Sequence, residues 1–120
     1  MNQKELEHTL STITSQLLNE KGYISMIDLF IRLGYLSAKD VEAWRNKRIP
    51  SLEQCIQINL SKISRIMKKV RSNCIKGGLR ESYSAYKSWG KGAKITLRFS
   101  KTGLEQIEKT YATHFLRPKV

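Results

Sequence analysis

The chain has 120 residues, with 22 Lys and Arg against 10 Asp and Glu, and a formal net charge of +12. This length predicts one small domain over residues 1–120, and the 40% of hydrophobic residues excludes a wholly disordered or collagen-like chain. No apolar run reaches the roughly 18–20 residues that cross a membrane, and the first residues lack the layout of a signal peptide. We therefore expect a cytoplasmic protein without a membrane partner.

The first half of the chain carries signals for three helices. Apolar residues at steps of four, three and four predict a helix over about residues 3–20, with Asn2 able to cap its start and Gly22 its end. Caps at Ser25 and Ser37 predict two brief helices. Gly34 ends the first of them, and Pro50 ends the second. The apolar residues of the first helix are Leu6, Leu10, Ile13 and Leu17.

A longer fourth helix is predicted from the capping box at Ser51 to the Gly77-Gly78 breaker. Its apolar face predicts packing against the core, with a dimer seam as the less favoured alternative. The residues of that face are Ile56, Leu60, Ile63, Met67, Val70 and Cys74. The opposite face carries the cations Lys62, Arg65, Lys69 and Lys76.

The C-terminal third changes to a period of two. Ile95, Leu97 and Phe99 alternate with polar residues and predict a half-buried strand that pairs with residues 83–89 across Gly90-Lys91-Gly92. A capping box at Thr102 predicts a last helix that ends before Pro118. The expected fold is therefore α+β and mostly helical, with about five helices and one two-stranded, wing-like β hairpin near the C-terminus.

Two cysteines, Cys55 and Cys74, are too few for a disulfide scaffold or a self-contained zinc site. Both are predicted to lie on the fourth helix, too far apart to pair, as buried thiols. The sequence therefore predicts no metal site and no cofactor.

Positive charge is concentrated in one part of the chain. Residues 62–101 contain twelve basic residues and a single acid, Glu81, whereas the other 80 residues have a net charge of only +1. A positive field of this kind favours phosphate backbones, because neutralising them releases counterions. The alternatives are a solvated face that serves solubility and a docking surface for an acidic protein partner.

Residues 25–60 contain Leu33-Gly34, Ser37, Val41-Glu42-Ala43-Trp44 and Arg48-Ile49-Pro50 in an order that resembles the helix-turn-helix of the Cro/CI-type repressor family. The resemblance implies that the second helix of the pair enters the major groove, with Ala38, Lys39 and Glu42 facing the base edges. It also implies a role in transcription regulation and the capacity to form a homodimer. The lysine-rich hairpin resembles, in turn, the wing of winged helix-turn-helix proteins.

Twelve cations are candidate nucleic-acid-binding residues, from the second helix of the pair, the loop after it, the long helix and the hairpin. They are Lys39, Arg45, Lys47, Arg48, Lys62, Arg65, Lys69, Lys76, Lys87, Lys91, Lys94 and Arg98. If the long helix contributes, replacing Lys62, Arg65 and Lys69 together should weaken binding to all sequences alike.

Two other functions compete with double-stranded DNA binding. Tyr83, Tyr86 and Trp89 lie among the cations and admit binding of RNA by stacking, although a place in the core is favoured. His8 and His114 admit an acid and a base of a small ribonuclease. We expect a non-enzymatic DNA-binding protein, with an acidic protein partner, RNA binding or ribonuclease activity as the alternatives.

Overall fold

The computed structural model describes residues 2–118. Within that range the chain forms five α-helices, one short 3-10 helix and one three-stranded sheet. None of these helices is long and apolar enough to cross a bilayer. In chain order the elements are α1 (Gln3–Lys21), β1 (Tyr23–Ser25), α2 (Met26–Arg32), α3 (Ala38–Arg45), the 3-10 helix Leu52–Cys55, α4 (Leu60–Lys76), β2 (Arg80–Tyr83), α5 (Glu105–Ala112) and β3 (Thr113–Leu116).

The three strands come from distant parts of the sequence. The last strand, β3, lies between β1 and β2 and is antiparallel to both. Phe115 pairs with Ile24 on one side and with Glu81 on the other, and its side chain is fully buried. The predicted α+β, mostly helical class is confirmed, but its regular sheet has three strands and is not the predicted two-stranded hairpin.

The first three helices begin where the sequence predicts. The side chains of Asn2, Ser25 and Ser37 each accept a hydrogen bond from a backbone N–H of the first turn, at the starts of α1, α2 and α3. Gly22 ends α1 in the left-handed conformation (φ 80°), which glycine adopts without strain. The third helix ends at Arg45, several residues before the predicted stop at Pro50.

The fourth helix begins later than predicted. Residues 52–55 form a separate 3-10 turn, and Asn59 caps the start of α4 through its side chain. Ser51 makes no capping hydrogen bond, and its hydroxyl donates to Gln54. The prediction that Cys55 and Cys74 share one helix is therefore wrong. Both are free thiols, Cys74 buried and Cys55 half-buried.

The predicted hairpin is a loosely paired ribbon, which we define as residues 84–100. Lys87 and Thr96 form one antiparallel bridge, flanked by hydrogen bonds from Ser88 N to Ile95 O (3.0 Å) and from Leu97 N to Tyr86 O (2.7 Å). Leu97 and Phe99 are buried as predicted, but Ile95 is 50% exposed. Only the half of the ribbon that reaches the core follows the alternating pattern.

The prediction of one continuous last helix is wrong. Helix α5 stops at Ala112, and the chain continues as β3. Thr110-Tyr111-Ala112-Thr113 is rich in residues that suit either state, and pairing with β1 and β2 on both sides favours the strand. Leu104, two residues after the predicted cap at Thr102, precedes α5 and is exposed.

Two carboxylates, the buried Glu53 and the half-buried Glu108, fasten the segment that joins the ribbon to α5. Glu53 accepts hydrogen bonds from the Lys101 N–H (3.0 Å) and the Tyr111 hydroxyl (2.6 Å). Glu108 accepts from the N–H groups of Phe99 (2.7 Å) and Ser100 (2.6 Å). Burial and the bond to Glu53 raise the pKa of Tyr111 well above its usual value. Residues 99–101 are thus held by two other elements.

Trp44 of α3 lies at the centre of the aromatic core. Its side chain is 0% exposed, and its indole N–H donates to the Arg98 carbonyl (2.8 Å). Its ring lies 5.0 Å from that of Phe99 and 5.8 Å from that of Tyr86, measured between centroids. One side chain therefore connects α3 with both halves of the ribbon.

Replacing Trp44 with alanine should lower the free energy of unfolding by about 3–5 kcal/mol, because it leaves a cavity and an unpaired carbonyl. Urea denaturation followed by circular dichroism measures this. The half-exposed Trp89 provides the matched control, since Trp89→Ala should cost clearly less. A loss of less than about 1 kcal/mol in Trp44→Ala would contradict the central role of this contact.

Candidate nucleic-acid interface

The exposed side of α3 is fixed by the burial of Trp44. At 100° per residue, Ala38, Lys39 and Glu42 lie roughly 120–160° around the helix from Trp44. All three are exposed. The positions that the helix-turn-helix resemblance assigns to base contacts therefore form the free face of α3.

Arg45 connects the end of α3 to the ribbon. Its guanidinium lies 4.5 Å from the Tyr86 ring centroid and 5.2 Å from that of Trp89, and donates to the Lys87 carbonyl (2.7 Å). The Arg45 carbonyl accepts from the Trp89 N–H (2.7 Å). Burial lowers the pKa of Arg45. This side chain therefore holds the ribbon against α3 and also adds a positive charge there.

The Arg45 contact brings two groups of cations to the same end of α3. Lys47 and Arg48 follow the helix directly, and both are exposed. Lys87, Lys91 and Lys94 lie in the ribbon within five residues of Trp89, and all three are exposed. Lys94 donates to the Gly90 carbonyl across the tip (2.7 Å). We call the surface formed by these five cations and the free face of α3 the α3–ribbon surface.

The cations of α4 have varied surroundings. Lys62 lies over the Tyr35 ring (5.6 Å), beside the turn that joins α2 to α3. Lys69 forms an ion pair with Glu7 of α1 (2.8 Å), which reduces its availability to a phosphate. Arg65 and Lys76 are exposed. The predicted cationic line on α4 is therefore divided between the α2–α3 turn and the surface of α1.

Arg98, the last of the predicted cations, forms hydrogen bonds within the protein. Its side chain donates to the carbonyls of Ser100 and Lys101, and its own carbonyl accepts from Trp44. These bonds close the turn after the ribbon. The sequence pattern marked Arg98 as a basic residue on the outer face of a strand and gave no signal of this internal role.

A cavity of about 460 Å³ separates α2, α3 and the ribbon, and its lining mixes both signs of charge. Asp28 and Glu42 face it, as do Lys21 and Arg45. Lys21 pairs with Asp28 (2.9 Å), so Glu42 is the acid most exposed on this side of α3. In general, a carboxylate can accept hydrogen bonds from cytosine amino groups, and it repels phosphates.

The aromatic residues near the charge are divided between core and surface. Tyr86 is partly buried, and burial raises its pKa to about 12. Tyr83 and Trp89 are about half exposed. The favoured prediction that all three rings lie in the core is therefore wrong for Tyr83 and Trp89. In the sequence, the position of Trp89 among lysines was the signal for a surface role. That position did not predict the contact between Trp89 and Arg45.

His114 is half-buried beside this site. Its Nε2 lies 2.9 Å from the Tyr86 hydroxyl, and its ring centroid lies 5.6 Å from that of Tyr23. Burial lowers the pKa of His114, while the charge of Asp28 opposes that shift. His8 lies on the exposed side of α1. Within residues 2–118 no group of three or more His, Cys, Asp or Glu side chains is placed to hold a metal ion.

Comparison of the chain with protein-family models, with curated proteins and with solved structures finds no match.

Replacing Arg45 with lysine should loosen the ribbon, because an ammonium group cannot stack on Tyr86 and Trp89 while donating to Lys87 as the planar guanidinium does. We expect amide hydrogen exchange at Ser88, Trp89 and Leu97 to accelerate at least about threefold, measured by NMR. Lys47→Ala, two residues on, is the control and should leave these rates unchanged. Unchanged rates in Arg45→Lys would show that other contacts hold the ribbon.

The stability of the protein should decrease as the pH falls below about 6.5, because the unfolded chain then protonates His114 more readily than the folded chain does. His114→Gln, whose side chain can still accept from Tyr86, should show a smaller decrease in unfolding free energy between about pH 7 and pH 5. Urea titrations at several pH values measure the difference, with His8→Gln as the matched control. An equal decrease in wild type and His114→Gln would contradict the assignment.

Proposed function

We propose that the protein binds double-stranded DNA without cleaving it, through the α3–ribbon surface. The observation that carries the proposal is the Arg45 contact, which joins the cationic ribbon to the end of a helix whose opposite face is buried through Trp44. In this arrangement α3 enters the major groove while Lys47, Arg48 and the ribbon lysines bind phosphates. A role in transcription regulation is part of the same proposal.

The dimensions of α3 support this mode of binding. An α-helix with its side chains is about 10–12 Å across, and the major groove of B-DNA is about 12 Å wide, so α3 can lie within it. Lys39 and Glu42 lie on the free face, where a lysine can bind guanine and a carboxylate can accept from cytosine. Sequence preference would come from these two side chains, and most of the affinity from the cations around them.

Single-stranded DNA or RNA is a second candidate, favoured by one observation. Trp89 is 48% exposed and lies against Arg45, among the ribbon lysines. An exposed indole beside cations stacks on unpaired bases, which adds about 1–3 kcal/mol per base. Under this alternative, Trp89→Ala weakens binding to single strands far more than binding to duplexes.

The deciding experiment is a fluorescence titration with duplex DNA, single-stranded DNA and structured RNA at several salt concentrations, followed by a gel to check that each polymer is intact. We expect the tightest binding to the duplex, a steep decrease with salt, and no cleavage. Absence of binding to all three polymers would refute the proposal. Cleavage of RNA by the wild-type protein, together with intact RNA after incubation with His114→Ala, would instead support the ribonuclease alternative.

The double variant Lys47→Ala, Lys91→Ala removes two exposed cations whose side chains make no hydrogen bond or ion pair within residues 2–118. It should weaken duplex binding for all sequences and reduce the slope of log affinity against log salt by about 1–2. The control Lys4→Ala, Lys68→Ala removes the same charge from α1 and α4. Equal effects of the two double variants would show that net charge alone governs binding.

The triple variant of Lys62, Arg65 and Lys69 tests whether α4 takes part. Because Lys69 is paired with Glu7 and Lys62 lies over Tyr35, we expect a smaller loss per removed charge than at the α3–ribbon surface. Unchanged affinity would remove α4 from the interface.

A further inference from the structure

A second surface runs along α4, where it faces α5. Helical spacing aligns Leu60, Ser64, Lys68, Arg71 and Ile75 in one row at steps of four, four, three and four. Leu60 is 56% exposed and Ile75 is 44% exposed. We call this row and the facing side of α5 the α4–α5 groove.

Three adjoining cavities make the groove continuous. One of about 430 Å³ lies between the first half of α4 and α5, with Ile63, Met67 and Ile107 in its walls. A second, of about 600 Å³, continues from Met67 and Arg71 toward β2. A third, of about 330 Å³, lies on the surface of α4 between Lys68 and Lys76 and is lined by α4 alone. Lys68 and Arg71 line both the first and the third cavity.

The middle of the groove is positively charged. Lys68 is exposed, and the Arg71 side chain is 61% exposed although its Nε lies 2.8 Å from a Glu81 oxygen. The carboxylate in the wall of the first cavity, Glu53, accepts from Tyr111 and from the Lys101 N–H. An occupant therefore meets apolar side chains at both ends and two cations between them.

We propose that the α4–α5 groove binds an acidic amphipathic helix of a partner protein. From Leu60 to Ile75 the row is roughly 22 Å long, which matches about four turns of a helix. Near Leu60 the apolar residues of that helix pack between α4 and α5, at the other end they pack on Ile75, and its carboxylates face Lys68 and Arg71.

Charge and composition argue against the other occupants. A second copy of this chain also carries +12, so self-association at a cationic row is repelled. A phosphate backbone neutralises Lys68 and Arg71 but leaves Leu60 and Ile75 against a polar surface. The groove shares no lining residue with the cavity between α3 and the ribbon. The partner helix and the proposed DNA therefore occupy separate surfaces.

The test uses a fluorescein-labelled synthetic peptide of about 18 residues, with leucines at i, i+4, i+7 and i+11 and glutamates on the flanking positions. Fluorescence anisotropy with the full-length protein measures its affinity. A peptide of the same composition in scrambled order controls for general attraction to a basic protein. We expect the amphipathic peptide to bind at least about tenfold more tightly than the scrambled one, and equal affinities would overturn the proposal.

Substitutions in the α4–α5 groove test whether the peptide binds there. Leu60→Ser, Ile75→Ser and Lys68→Glu, all at exposed positions, should each weaken the amphipathic peptide about fivefold to tenfold, while Lys4→Glu on α1 has no more than a slight effect. Circular dichroism checks that each variant is folded. Unchanged affinity in all three groove variants would overturn the proposal, as would a wild-type homodimer in sedimentation that Leu60→Ser dissociates. Duplex DNA that competes with the peptide would also contradict it.

Discussion

The buried Trp44 indole holds α3 against the ribbon, and the geometry of the candidate interface follows from this contact. It removes a large apolar surface from water and gives the indole N–H a partner in the Arg98 carbonyl. Because a helix is rigid, this one contact also fixes the rotation of α3 and turns Lys39 and Glu42 outward. Arg45, the next residue, then lies beside the ribbon, where Tyr86 and Trp89 hold it.

The two proposed surfaces use positive charge in different ways. On the α3–ribbon surface, cations surround a polar helix face, an arrangement suited to a partner with phosphates at regular spacing. In the α4–α5 groove, two cations interrupt an apolar row, which suits an amphipathic partner with few carboxylates. The local excess of positive charge predicted from residues 62–101 is therefore divided in the structure. Lys69 and Arg71 pair with Glu7 and Glu81, which come from outside α4.

Several elements were predictable because their signals are local. The starts of α1, α2 and α3 depend on Asn2, Ser25 and Ser37, each of which bonds a backbone N–H three residues on. The prediction of a continuous last helix failed because strand pairing with distant residues competes with the helix there. Residues after Ala112 continue a helical pattern, but pairing with Tyr23–Ser25 and Arg80–Tyr83 satisfies both edges of β3.

The starts of α1, α2 and α3, the α+β class and the concentration of cations were predictable without a structure, since they depend on residue type and short-range spacing. Which cations share a surface depends instead on contacts between distant parts of the chain. Arg45 meets the ribbon across 42 residues of chain, and Glu53 meets Tyr111 across 58. Contacts at such separations depend on how the whole core packs, and no local pattern of residues encodes them.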